Sequence, residues 1–254
     1  GNHDIGDKPG PWMPAAVVNE DSIASYRNHF GDTFYSFDRG DCRCIMINNP
    51  VLNSGLPEEK KQREWLQNEL AENAGRRIFL FMHYPLFLTA PDEPGHYENL
   101  DDPARSWLLS LVDEHSVEAV FAGHTHNFFF NRYQGSDLYV LPSVTSVRQD
   151  YSELFRVEPG AEYGRNDTGK FGFFVVSVYE NGYDTRFVRT AGKTLPDDGQ
   201  EVARRAASPQ IAANPEVVPA PAALGADLRH PWAEIAEIPY NYILDEFQRK
   251  KVRN

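Results

Sequence analysis

The chain is poor in cysteine: Cys42 and Cys44 are the only two in 254 residues. They stand two apart in a strand-like run, so both side chains leave the same face, too far apart for a relaxed disulfide. They read as free thiols in or near the core and say nothing about compartment. Basic residues are also outnumbered. Against 37 Asp and Glu there are 25 Lys and Arg, a net charge of −12. That argues against nucleic acid as the main partner, because phosphate backbones are bound by clustered Lys and Arg. It leaves room for a small phosphorylated substrate or a phosphoprotein, since bound cations reverse the local field. No apolar run is long enough to cross a bilayer, and there are no internal repeats.

What is present fits a globular protein with a buried core: 41% of residues are hydrophobic and 13% aromatic. Ser22–Phe30 reads as a short helix. Thr33–Asp38 and Cys42–Asn48 read as strands joined by a turn at Arg39-Gly40-Asp41, a tripeptide whose turn chemistry outweighs its likeness to an adhesion motif. Pro57–Asn73 reads as a helix, with proline in its first turn and Trp65, Leu66 and Leu70 on one stripe. Ile78–Met82 and Val117–Ala122 are short apolar strands of the kind buried on both faces. Between them lie a long loop from Tyr84 to Asp102 and a helix over Pro103–His115. Further strand patterns follow at Phe128–Tyr133, Leu138–Leu141, Phe171–Tyr179 and Tyr183–Val188. With no helices between them, these later strands read as antiparallel. The expected organisation is a domain over residues 1–190, an Ala/Pro-rich linker over 191–229 and a C-terminal segment over 230–254. That last segment holds Trp232 and Tyr240 and could dock on the domain.

Three histidine clusters stand out: Gly1-Asn2-His3-Asp4, His83-Tyr84-Pro85 and Gly123-His124-Thr125-His126. The last two each follow a buried strand directly, and the carboxyl edge of such strands is where ligands and catalytic groups collect in open α/β sheets. Neighbouring strands would bring His83, His124 and His126 together. Imidazole suits Zn, Fe and Mn-type ions, and the amide oxygen of Asn2 suits harder cations. The glycines permit sharp turns and leave room beside an ion. A lone histidine after a strand is commonly a capped or surface residue; the three clusters in this order on these elements make the stronger case.

These clusters resemble three of the five sequence blocks of the calcineurin-like metallophosphoesterases. Phe34-Tyr35-Ser36-Phe37-Asp38, the strand ending at Asn48-Asn49, and Gln62-x-x-Trp65-Leu66 with Leu70 are similar to the bacterial and purple-acid-phosphatase-like branches. The resemblance covers roughly Gly1 to Val188. It implies an α/β fold, a four-layer αββα sandwich of mixed sheets flanked by helices. It implies a metal-dependent phosphoester hydrolase with two di- or trivalent transition metal ions, Mn, Fe or Zn. Asn2, His83 and His124 would bind one ion and His126 the other. Water activated by the pair would attack phosphorus, and His3, oriented by Asp4, would protonate the leaving oxygen.

The family's Asp-x-His and Gly-Asp-x-x-Asp blocks do not occur before Gly1 in this sequence. The domain is therefore expected to lack its first strands, and the 254-residue chain by itself is expected to be inactive. Asp113-Glu114-His115 spells Asp-x-His but ends a helix and comes after His83, so it is set aside. Substrate contacts are less defined. His96, with Tyr97 and Asn99, lies in a loop long enough to be a lid, and Arg148 could hold a phosphate. The alternatives are a phosphodiesterase, nucleotidase or protein phosphatase on the same centre, or a non-catalytic scaffold. Intact His3 and Asp4 speak against the scaffold.

Overall fold

A computed structural model describes residues 1–11, 13–144, 171–190 and 217–219. Arg148, most of the expected linker and the whole C-terminal segment lie outside them. The chain forms two compact units: Gly1–His124 with Phe130–Val140, and Thr125–Phe129 with Leu141–Asn254.

The first unit is mixed α/β. Its elements are α1 (Asn2–Ile5), α2 (Glu20–Phe30), β1 (Tyr35–Arg39), β2 (Cys42–Met46), α3 (Pro57–Glu72), β3 (Arg77–Phe81), α4 (Ala104–Glu114), β4 (Ala119–Ala122), β5 (Phe129–Tyr133) and β6 (Ser136–Val140). The six strands make one mixed sheet in the order β1-β2-β3-β4-β6-β5. β1 and β2 are an antiparallel hairpin closed at Gly40, whose φ of 58° is the left-handed turn conformation that glycine takes without strain. β2, β3, β4 and β6 run parallel. The parallel pairing of β6 with β4 corrects the expectation that all the later strands are antiparallel. Parallel neighbours need a crossover, usually a helix. Here the crossover runs through β5, so the pattern carries no helical signal.

Strand alternation divides the sheet's two faces. Ile45, Ile78, Leu80, Val120 and Leu138 join Leu66 and Leu70 of α3 and Leu108 and Val112 of α4 in one core. Both helices therefore flank the same face. The opposite face carries Phe79, Phe81, Phe121 and Tyr139, with Phe81 and Tyr139 stacked on Phe121 at 5.2 and 5.0 Å. Cys42 and Cys44 are free thiols, the first buried. α1 is held by a smaller cluster, in which Ile5 packs with Val18, Ile23 and Val51. Asn19 caps α2 by accepting from Ser22 N at 3.0 Å.

In the second unit, β7 (Gly172–Tyr179) and β8 (Gly182–Arg189) form an antiparallel hairpin. β9 (Val217–Pro219), within the span expected to be linker, pairs with β8. No helix among the described residues is long and apolar enough to cross a membrane.

Candidate metal centre

Two adjacent strands end in the two histidine turns. Met82 N donates to Phe121 O at 2.9 Å and Gly123 N to His83 O at 2.9 Å, so the parallel register continues one step past β3 and β4. This brings His83 and His124 side by side. His124 has φ 70° and His126 φ 59°, a conformation that costs a non-glycine residue energy and recurs at functional sites.

The turn at His83 is clamped from the helical side. Asn49 is fully buried; its Oδ1 accepts from His83 N and Tyr84 N, both at 3.1 Å, and its Nδ2 donates to Tyr84 O at 2.7 Å. Buried Gln62 of α3 brackets the residue before it, accepting from Asn48 N at 2.7 Å and donating to Asn48 O at 3.0 Å. Gln62 was part of the sequence pattern, but its bonding to Asn48 was not legible there.

Asn2 enters from α1. Its Oδ1 lies 2.7 Å from His83 Nε2, and His124 Nδ1 lies 3.1 Å from that same nitrogen. Gly1 allows this approach: a Cβ there would stand 2.6 Å from His83 Cε1. The orientation of each donor follows from its other partners. Asn2 Nδ2 donates to Asp7 Oδ1 at 2.6 Å, which turns the amide oxygen toward His83. Asp7 is fully buried, and its Oδ1 also accepts from Tyr84 OH at 3.2 Å. Burial, then the neighbouring Asp7 carboxylate, pushes the Tyr84 hydroxyl above its ordinary pKa, which keeps it protonated as the donor. His124 Nε2 faces the Tyr97 carbonyl at 3.1 Å and a Glu98 carboxylate oxygen at 3.5 Å. A carbonyl can only accept, so Nε2 carries the hydrogen, and in the neutral ring Nδ1 then presents the lone pair.

The donor set fits a cation. Asn2 Oδ1 and His124 Nδ1 are both acceptors, and both face one imidazole nitrogen that can offer them a single proton. Two donors bound about 2.1 Å from one ion stand about 3.0 Å apart at a right angle and about 3.4 Å apart at the tetrahedral angle, and the 3.1 Å between His83 Nε2 and His124 Nδ1 falls in that range. Two imidazoles and an amide oxygen are a ligand set for first-row transition ions. Among the described residues no group of three or more His, Cys, Asp or Glu could hold an ion by itself. In this cluster the third donor is the amide of Asn2.

The other expected site residues are distributed more loosely. His3 is exposed on α1, and the Asp4 carboxylate accepts from the Gly1 nitrogen at 2.5 Å. His126 belongs to the second unit and is half-buried. His96 is buried, with Nε2 3.4 Å from Glu93 Oε1. Asp113-Glu114-His115 closes α4, away from any strand's carboxyl end. Asp7, Tyr84 and Glu98 orient the donors, a role that the sequence alone does not assign to them. A carboxylate three positions after Gly1-Asn2-His3-Asp4 and a tyrosine beside His83 were the available signals.

The profile of the calcineurin-like phosphoesterase family matches residues 1–128; the chain belongs to the calcineurin-like phosphoesterase family. Among curated proteins it is similar to a zebrafish (Danio rerio) serine/threonine-protein phosphatase CPPED1, 33% identical over 163 residues, which is 62% of this chain and 50% of that protein. It is also similar to a probable cyclic nucleotide phosphodiesterase of Rhodococcus erythropolis, 27% identical over 203 residues, 75% of this chain and 64% of the relative. Among solved structures it aligns with a purple acid phosphatase from yellow lupin at a TM-score of 0.45 and 17% identity, over 74% of this chain and 37% of the other. The chain thus spans about half the length of the CPPED1 phosphatase it matches.

Proposed function

We propose that the protein is a metal-dependent phosphoester hydrolase. Asn2, His83 and His124 hold one ion, and His126 is this chain's ligand to a second. The observation that carries the reading is the convergence of Asn2 Oδ1 and His124 Nδ1 on His83 Nε2 within 3.1 Å. Bound divalent or trivalent ions make water a nucleophile near neutral pH and neutralise phosphoryl oxygens. The protein's own residues set the donors: Asp7 turns the Asn2 oxygen inward, and Tyr97 with Glu98 keeps the His124 hydrogen on Nε2. His3 directly follows Asn2 on α1 and is exposed. Its imidazole donates the proton that the departing alkoxide needs, and Asp4 supports it.

The likeness to serine/threonine-protein phosphatases supports a phosphomonoester substrate and directs the first panel to phosphoserine and phosphothreonine peptides beside nitrophenyl mono- and diesters. The test uses the full-length protein, stripped by chelation and then given manganese, iron or zinc. Activity should vanish on stripping and return with metal. Full activity after exhaustive chelation would sink the reading.

A further inference from the structure

Lys8 directly follows Asp7 and is only 1% exposed. Burying an ammonium is costly unless it is paired and hydrogen-bonded. Its Nζ is surrounded by oxygens: it donates to His96 O at 2.7 Å, to Asn99 O at 2.5 Å and to the Asp101 carboxylate, with which it forms an ion pair. It also lies 5.6 Å from the centre of the Tyr84 ring. Burial pulls the ammonium below the ordinary lysine range, and Asp101 opposes that pull.

The two carbonyls belong to His96 and Asn99, and Tyr97 and Glu98 lie between them. Those are the residues that face His124 Nε2. The same turn is closed internally: His96 N donates to Asn99 Oδ1 at 3.0 Å and Glu98 N to His96 Nδ1 at 3.1 Å. Carbonyls at a buried turn have no ladder partners, and Lys8 supplies donors to both. One buried charge thus brackets the segment that orients the histidine, and it sits one residue after the carboxylate that orients Asn2.

We propose that Lys8 is a positioning residue of the metal centre: by holding the His96–Asn99 turn it fixes the Tyr97 carbonyl and Glu98 against His124, and so keeps the Nδ1 lone pair available to the ion. This rests on the metal-centre reading above. Asp7 and Lys8 would then be a tandem support, one charge for each of two ligands.

The test is Lys8→Met in the full-length protein, which keeps stem length and removes the charge. Two quantities are read: the imidazole nitrogen NMR shifts of His124 in metal-free protein, and metal affinity by titration calorimetry. Wild type should show one neutral tautomer, protonated at Nε2. Lys8→Met should show mixed tautomers and an affinity about 10–100-fold weaker, the usual cost of losing an outer partner. A role in loop stability alone would lower the melting temperature and leave the folded protein's ring shifts unchanged. If Lys8→Met does not fold, Asp101→Asn carries the test: it removes the counter-ion that keeps the buried ammonium charged and in place, so the hold on both carbonyls loosens, and mixed tautomers there support the proposal. A single Nε2–H tautomer with wild-type affinity in the folded variant overturns it. Neither reading needs turnover. An inactive wild type with a single tautomer would therefore count against the hydrolase reading and leave this one standing.

Discussion

The Asn2 side-chain nitrogen donates to Asp7 Oδ1 at 2.6 Å, and that bond decides which end of the Asn2 amide meets His83. Without it, the amide could turn and present a donor where the proposed metal centre calls for a ligand oxygen. Asp7→Ala should weaken metal binding about 10–100-fold. It should also cost roughly 1–3 kcal/mol of stability, because Tyr84 OH and the Asn2 amide lose a buried acceptor. Titration calorimetry and denaturant unfolding measure the two effects. Wild-type metal affinity in a folded Asp7→Ala protein would show that Asn2 is oriented by something else.

His3→Ala should lower turnover about 10²–10⁴-fold, the range for lost proton transfer. It should leave metal content unchanged, since His3 is not among the converging donors. The loss should shrink with nitrophenolate, which leaves without a proton. An equal loss for alkyl and nitrophenyl esters would contradict the proton-donor role.

The sheet and the donors stand at different depths of legibility. Ile78–Met82 and Val117–Ala122 declare themselves by unbroken apolar composition, and each runs straight into its histidine, so the side-by-side placement of His83 and His124 follows from strand order. β6 is harder to read. Its partner β4 is reached through a strand rather than a helix, and a period-of-two pattern carries no sign of direction. The orienting partners are harder still. Tyr84 OH meets Asp7 across 77 positions and Lys8 meets Asn99 across 91. Such bonds depend on the finished fold and leave no spacing along the chain. The loop from Tyr84 to Asp102 looks like a lid by length and polarity, yet its polar residues turn inward. Glu93 accepts from Leu88 N and Thr89 N, both at 3.0 Å, and from Asn99 Nδ2 at 2.6 Å. Polar composition alone does not distinguish a solvated loop from one that satisfies its own backbone.

Gly1 predicts a steric effect. An added Cβ would meet His83 Nδ1 at 2.7 Å as well as Cε1. The ring is held by its own clamped turn, so it has little room to give. Gly1→Ala in the full-length protein should displace Asn2 from His83 and reduce metal affinity, with little change in melting temperature since the core is untouched. Unchanged affinity would mean that the His83 ring can swing aside.

The Glu93–His96 pair predicts how stability depends on pH. Burial holds the His96 imidazole below its ordinary value of 6.5, with Glu93 opposing. Burial would raise the Glu93 carboxyl, but hydrogen bonds from His96, Asn99 and Leu88 bring it below 4.5. Both folded values are lowered, so the unfolded chain binds more protons in both windows, and stability falls as pH falls. The histidine's contribution is complete above about pH 6.5 and declines below it; the carboxylate's is complete above about pH 4.5 and is lost as pH drops through the folded value. Unfolding free energy should thus be level near neutrality, slope downward below about 6.5 and steepen below about 4.5. His96→Asn should remove the first slope and keep the second. Glu93→Gln should remove the second and, by taking away the group that raises His96, extend the first to lower pH. Urea unfolding from pH 8 to pH 4 on the three proteins, at saturating metal, separates these limbs. If His96→Asn follows the wild-type curve between pH 6.5 and 4.5, the buried imidazole is not the group that titrates there.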